Sequence, residues 1–219
     1  FPYVWNLEQT DAYLEIAGKR LDVSFINLAG QSINFEYSVP NFNQCKGCHV
    51  NQNRMVPIGP KARLLNHDFN YDDGKMNQLE KWVKLGMASG VPSISSLPYT
   101  PDYNDIESGS IEERARALID INCAHCHRLG APGETSGLFL NIEETGPTRL
   151  GIYKPPVAAG RGSGDLDYTI VPQSPDQSIM VYRMESTDPG IMMPELGRKL
   201  VHKEGVELVK KWIQEKNRS

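Results

Sequence analysis

All four cysteines of this 219-residue chain fall within two copies of one pattern, Cys45-Lys46-Gly47-Cys48-His49 and Cys123-Ala124-His125-Cys126-His127, 78 positions apart. At this content of Cys and His, roughly 0.002 matches to C-x-x-C-H are expected by chance, so the pair is no accident of composition. The pattern is the c-type haem attachment motif. Two thiols three positions apart can add to the vinyl groups on one edge of a porphyrin. The histidine that follows is then directed beneath the ring, where a neutral imidazole nitrogen can bind iron. The motifs therefore predict two covalently bound haem c groups. Cys45, Cys48, Cys123 and Cys126 would form the thioethers, and His49 and His127 would be the proximal ligands. No cysteine is left for a disulfide.

Nineteen glycines and 15 prolines predict much loop, as expected where a large cofactor supplies core that side chains otherwise would. The formal charge of −4, made more negative by haem propionates, argues against nucleic acid, which needs a basic face. It predicts a redox partner protein with a basic docking patch instead. No apolar run reaches the 18 or so residues of a membrane span. The chain opens on Phe1-Pro2-Tyr3 without a signal, as expected of a mature or trimmed product and of one piece of a larger chain or complex. Bacterial haem attachment takes place outside the cytoplasmic membrane, so the motif implies a periplasmic or extracellular location.

Taken in order, residues 1–44 read as a β-hairpin extension, with alternating apolar and polar residues over 21–26 and 33–39. Pro40 then predicts entry to the first motif from a loop. Residues 45–100 read as a first haem module. Its Pro- and Gly-rich stretch 51–61 is irregular, and a helix is expected over 76–88 with Leu79, Trp82, Val83 and Met87 on one face. Residues 101–219 read as a second, cytochrome c-like haem domain. Ser110-Ile111-Glu112-Glu113 forms a capping box that opens a helix into the second motif. Residues 174–184 include a helix, and 203–216 form the clearest one, with Val206, Val209, Trp212 and Ile213 on one face. A weak internal repeat relates Met55-Val56-Pro57-Ile58-Gly59-Pro60-Lys61 to Met193-Pro194-Glu195-Leu196-Gly197-Arg198. The expected fold is mainly α, two cytochrome c-like haem modules with the first abbreviated, plus the hairpin.

The position opposite each proximal histidine sets behaviour, since a thioether raises the potential and an open position invites peroxide or oxygen chemistry. For the second haem Met193 leads, with its neighbour Met192 as alternative; Met180 and Met184 read as core filling. For the first, Met55 is supported by the repeat, but only five residues separate it from His49, about 17–20 Å fully extended. His67 is the next candidate, and an open site is the third. His125, between its two cysteines, reads as turned away from iron, and His202 as a cap or surface residue. A proximal histidine usually donates Nδ1–H to a carbonyl, which Pro132 or Pro147 could supply to His127. Lys61, Arg161, Arg183 and Arg198 are candidate propionate partners.

The stretches 118–127 and 40–49, with Pro57-Ile58-Gly59-Pro60-Lys61-Ala62-Arg63 and Met192-Met193-Pro194-Glu195-Leu196-Gly197, resemble an exported bacterial family of di-haem c-type cytochromes. The resemblance implies haem and export and supplies no substrate. The favoured reading is electron transfer outside the cytoplasmic membrane, by a carrier with no catalytic residues. Its rival is a di-haem peroxidase or oxidase-like enzyme using one open-site haem. Paired CxxC zinc sites form a third reading, weakened because each motif carries its own adjacent histidine.

Overall fold

Local turn chemistry dictates the first elements of the computed structural model, which describes residues 2–217. Phe1, Arg218 and Ser219, at the outer ends of the expected first and last segments, lie outside the described residues. β1 (Tyr3–Trp5) pairs antiparallel with β2 (Ala12–Leu14) across a loop in which Asn6 Oδ1 accepts from the Thr10 and Asp11 amides. β3 (Lys19–Ile26) and β4 (Ser32–Val39) form the hairpin that the alternation predicts. Its register sets Leu21 against Tyr37, Val23 against Phe35 and Phe25 against Ile33, which gathers the apolar side chains on one face.

Pro40 ends the strand, and Asn41 then caps α1 (Phe42–His49) reciprocally with Gln44 at 2.9 Å in both directions. The expected entry from a loop is corrected: the helix begins at Phe42, three residues before Cys45, and the whole motif is helical because the Asn41–Gln44 capping box starts the helix directly after Pro40. β5 (Val50–Asn51) and β6 (Arg54–Met55) follow as a hairpin whose central residues Gln52 and Asn53 both have positive φ, as a two-residue type I′ turn requires. After α2 (Ala62–Leu65), β7 (Asp68–Tyr71) and β8 (Gly74–Asn77) pair around Asp72-Asp73, with Gly74 at φ +119°, which an L side chain rarely adopts. α3 (Gln78–Lys84) is shorter than the expected 76–88 helix, because Met76 pairs with Phe69 in the sheet and Asn77 caps the helix. Leu79 is buried there, but Val83 and Met87 stand exposed.

The expectation of a mainly α chain is corrected: 32% is helix and 18% strand, the strands forming four separate two-stranded sheets among the described residues. The extra strands arise where short polar turns reverse the chain before a helix can nucleate, at 6–11, 52–53 and 72–73.

The core belongs to the C-terminal half. Ser110 and Glu113 close the expected capping box on α4 (Ile111–Cys123). α4 packs on α7 (Lys203–Glu215), the two contributing Ala115, Leu118, Ile119, Val206, Val209, Trp212 and Ile213 to one cluster. α5 (Pro147–Leu150) lies between them in sequence, and α6 (Ile179–Glu185) adds Val181, with Met180 and Met184 packed at the edge. Before residue 111, only Leu79 and Thr100 are buried among the described residues. No helix of the described residues is long and apolar enough to cross a membrane.

Candidate cofactor site

Both motifs are presented by helical turns. α1 carries Cys45, Cys48 and His49, and beyond α4 the turn continues, with Cys126 N and His127 N both donating to Cys123 O at 3.1 and 2.9 Å. Residues three apart on such a turn lie on neighbouring positions of one face, and all four cysteines are free, but Cys123 packs against the core while Cys126 reaches the first motif.

The histidine that closes each motif is oriented by a partner on Nδ1. The β5–β6 turn brings Val56 back beneath His49, where Val56 N donates to His49 O at 2.7 Å and Val56 O lies 3.0 Å from His49 Nδ1. A carbonyl only accepts, so His49 carries its proton on Nδ1 and leaves the Nε2 lone pair free. His127 Nδ1 is 3.3 Å from Ser136 Oγ. That hydroxyl spends its own hydrogen on Gly133 O at 2.6 Å, so it accepts from the imidazole and fixes the same tautomer. The partners of His127 are therefore Ser136 and the Leu138 main chain rather than Pro132 or Pro147. Gly133 is required at this point, since a Cβ there would sit 2.9 Å from Cys126 O and 3.1 Å from His127 Nδ1. Burial, then the charge of Arg183, lowers the His127 pKa to about 4, which keeps the ring neutral as a metal ligand must be.

The two motifs meet. Cys126 Sγ donates to Gly47 O at 3.0 Å, and Gln52 N donates to Gly130 O at 2.8 Å. Gly130, at φ +76°, is packed so closely that a Cβ would lie 3.1 Å from Gln52 Cγ. Ligand atoms of Cys48, His125 and Cys126 all lie within 4.8 Å of one another. Contact with Cys126 and then with His125 pulls the Cys48 thiol down to about 4, and the contact with Cys48 drives Cys126 upward. Cys123, buried against the core, is pushed up to about 12 by desolvation. His125 Nδ1 is buried without a partner. The spacing of one motif gives no hint that His125 would face a sulfur of the other.

The remaining expected ligands are scattered. Met55 is 49% exposed on β6, paired with Val50 and next to Val56, whose carbonyl faces His49 Nδ1. His67 is exposed, its carbonyl accepting from Gln78 N. Met192 is buried, while Met193 is half-buried with its amide on Arg183 O at 3.1 Å. The following residues reach the motif junction, with Leu196 Cδ1 3.4 Å from the position a Cβ would take on Gly47. His202 occupies the α7 N-cap without a side-chain cap bond, and its ring meets Tyr103 edge to face at 5.2 Å.

The expected propionate partners are already engaged. Lys61 joins Asp120, Arg161 pairs with Asp188, and Arg183 and Arg198 donate to main-chain carbonyls. Arg128, immediately after His127, instead has a buried Nε with no partner. Adjacency to the motif was its only sequence signal. Comparison with protein-family models, curated proteins and solved structures finds no match to this chain.

Proposed function

We propose that this protein is a di-haem c-type cytochrome that transfers electrons outside the cytoplasmic membrane. The observation that carries the reading is the pair of oriented imidazoles: both His49 and His127 have Nδ1 occupied by an acceptor and Nε2 free, as a metal-binding histidine requires. Cys45 and Cys48 would bind one haem, and Cys123 and Cys126 the other. Bound there, haem c supplies one-electron chemistry between ferrous and ferric iron. Val56, Ser136 and Gly133 hold the ligand rings in place. Arg128 offers an unpaired cation to a propionate, and Met193 remains the candidate for the sixth position of the second haem. The near-absence of buried apolar side chains before residue 111 fits a segment whose core the cofactor completes.

A second reading has one observation in its favour. Met55 and His67 are both exposed, so neither is packed in place as a second ligand for the first haem, which suits a peroxidase or oxidase-like enzyme. Expression in a host able to mature c-type cytochromes separates the outcomes. Two haems per chain by mass, both low-spin and slow to bind carbon monoxide or cyanide, support the carrier. A high-spin haem that turns over peroxide supports the enzyme. A colourless chain holding zinc or copper on Cys48, His125 and Cys126 overturns both.

A further inference from the structure

We infer that the haem-free chain carries a zinc site of its own, built across the two motifs from Cys48, His125 and Cys126. The inference stands on the free thiols and does not rest on haem binding. Ligand atoms of the three residues lie within 4.8 Å of one another, although the motifs are 78 positions apart. Two thiolates and an imidazole suit zinc, and a three-ligand site leaves the fourth tetrahedral position to water. Loading releases one proton from each thiol to solvent and oxidises nothing. The two sulfur charges then balance the dication. A second observation points to a ligand here. His125 Nδ1 is buried with no hydrogen-bond partner, which an ion completing the set would explain.

The donors are positioned by main-chain contacts. The capping box of Asn41 and Gln44 starts α1, which carries Cys48 in its last turn, while His125 and Cys126 follow the end of α4. Gln52 N donates to Gly130 O at 2.8 Å, and Gly130 has no side chain to hold the two turns apart. The buried Asp120 of α4 joins Lys61 and Arg63, beyond the first motif. Cys123 packs against the core, and neither it nor Cys45 belongs to the group. Each C-x-x-C pair is thus split, and the site takes one cysteine from each motif. An ion bound there ties the thinly packed first half to the α4–α7 core. Haem attachment converts these thiols to thioethers, so the site belongs to the chain before attachment.

The test uses the full chain made in a host that attaches no haem, kept reduced and stripped of metal. Zinc chloride is the probe, and cobalt(II) its spectroscopic stand-in. One zinc per chain is expected, and the cobalt form should show sulfur-to-metal charge transfer with the visible bands of a tetrahedral ion. His125→Ala, Cys48→Ala and Cys126→Ala should each weaken zinc binding by at least about tenfold. Zinc should also slow amide exchange across residues 42–56, a readout that needs no variant. No zinc bound, two zinc ions per chain, an affinity indifferent to His125→Ala, or exchange unchanged by zinc would each overturn the inference. The proposed function would still stand, since haem is counted in a separate preparation. Fewer than two haems per chain in a maturation-competent host would overturn the proposed function and leave the zinc site untouched.

Discussion

A histidine that binds iron is defined as much by what holds its other nitrogen as by its place in a motif. For His49 and His127 the motif alone marks the ligand, but the holder is legible only in three dimensions. Val56 arrives through a type I′ turn built on Gln52-Asn53, which lacks the usual glycine, and Ser136 lies nine residues on, at the end of a single 3-10 turn. His125 shows the same limit from the other side, because its neighbour Cys48 comes from the other motif. Arg128 carries the prediction at this scale. On the proposed function, its cation beside the second motif would favour the ferrous state, so Arg128→Leu should lower the midpoint potential of one haem and leave the other unchanged, as read by spectroelectrochemical titration. Equal shifts in both haems, or none, would remove Arg128 from that role.

Among the elements, those with a chemical start signal were readable. The α4 capping box and the amphipathic stripe of α7 appear where the sequence places them, and the β3–β4 hairpin follows its alternation. The hairpins around Asp72-Asp73 and Gln52-Asn53 were missed, because their strands are too short for a period to register; the first turn lies in a stretch given no reading and the second in one read as irregular. Ser110→Ala should cost about 1 kcal/mol in chemical denaturation, the usual value of an N-cap. The hydrogen bond from Ser110 holds the Glu113 carboxyl below its ordinary range. Its contribution is therefore complete above the normal carboxylate pKa and is lost as pH falls through the depressed folded value. The variant should show a flatter loss of stability on the acid side. Asp120 ties α4 to the first half of the chain, its fully buried carboxylate meeting Arg63, Lys61 and the Ile142 amide. Removing it by Asp120→Ala strands Arg63 and should cost about 3 kcal/mol, measured in the same way.

Taken whole, the molecule is lopsided. A packed α4–α7 core carries the second motif, while the first half exposes Trp5, Phe25, Ile58 and Leu85 and buries one apolar side chain among the described residues. The modular symmetry suggested by the weak repeat does not extend to packing, since Met55 lies on a strand while Met193 lies in a loop beside α6. Composition hinted at this through its glycines and prolines but could not say which half lacked a core. Hydrogen exchange should therefore split the chain when haem is withheld, with amides of residues 42–100 exchanging much faster than those of α4 and α7. Uniform protection in the haem-free chain would refute this. The close approach of Cys48 to Cys126 also constrains how the protein is made. On the proposed function, a haem-attaching enzyme would have to reach both thiols before the two turns lock together. A polypeptide that closes first under oxidising conditions would instead be left with a cross-link from Cys48 to Cys126 that joins its halves.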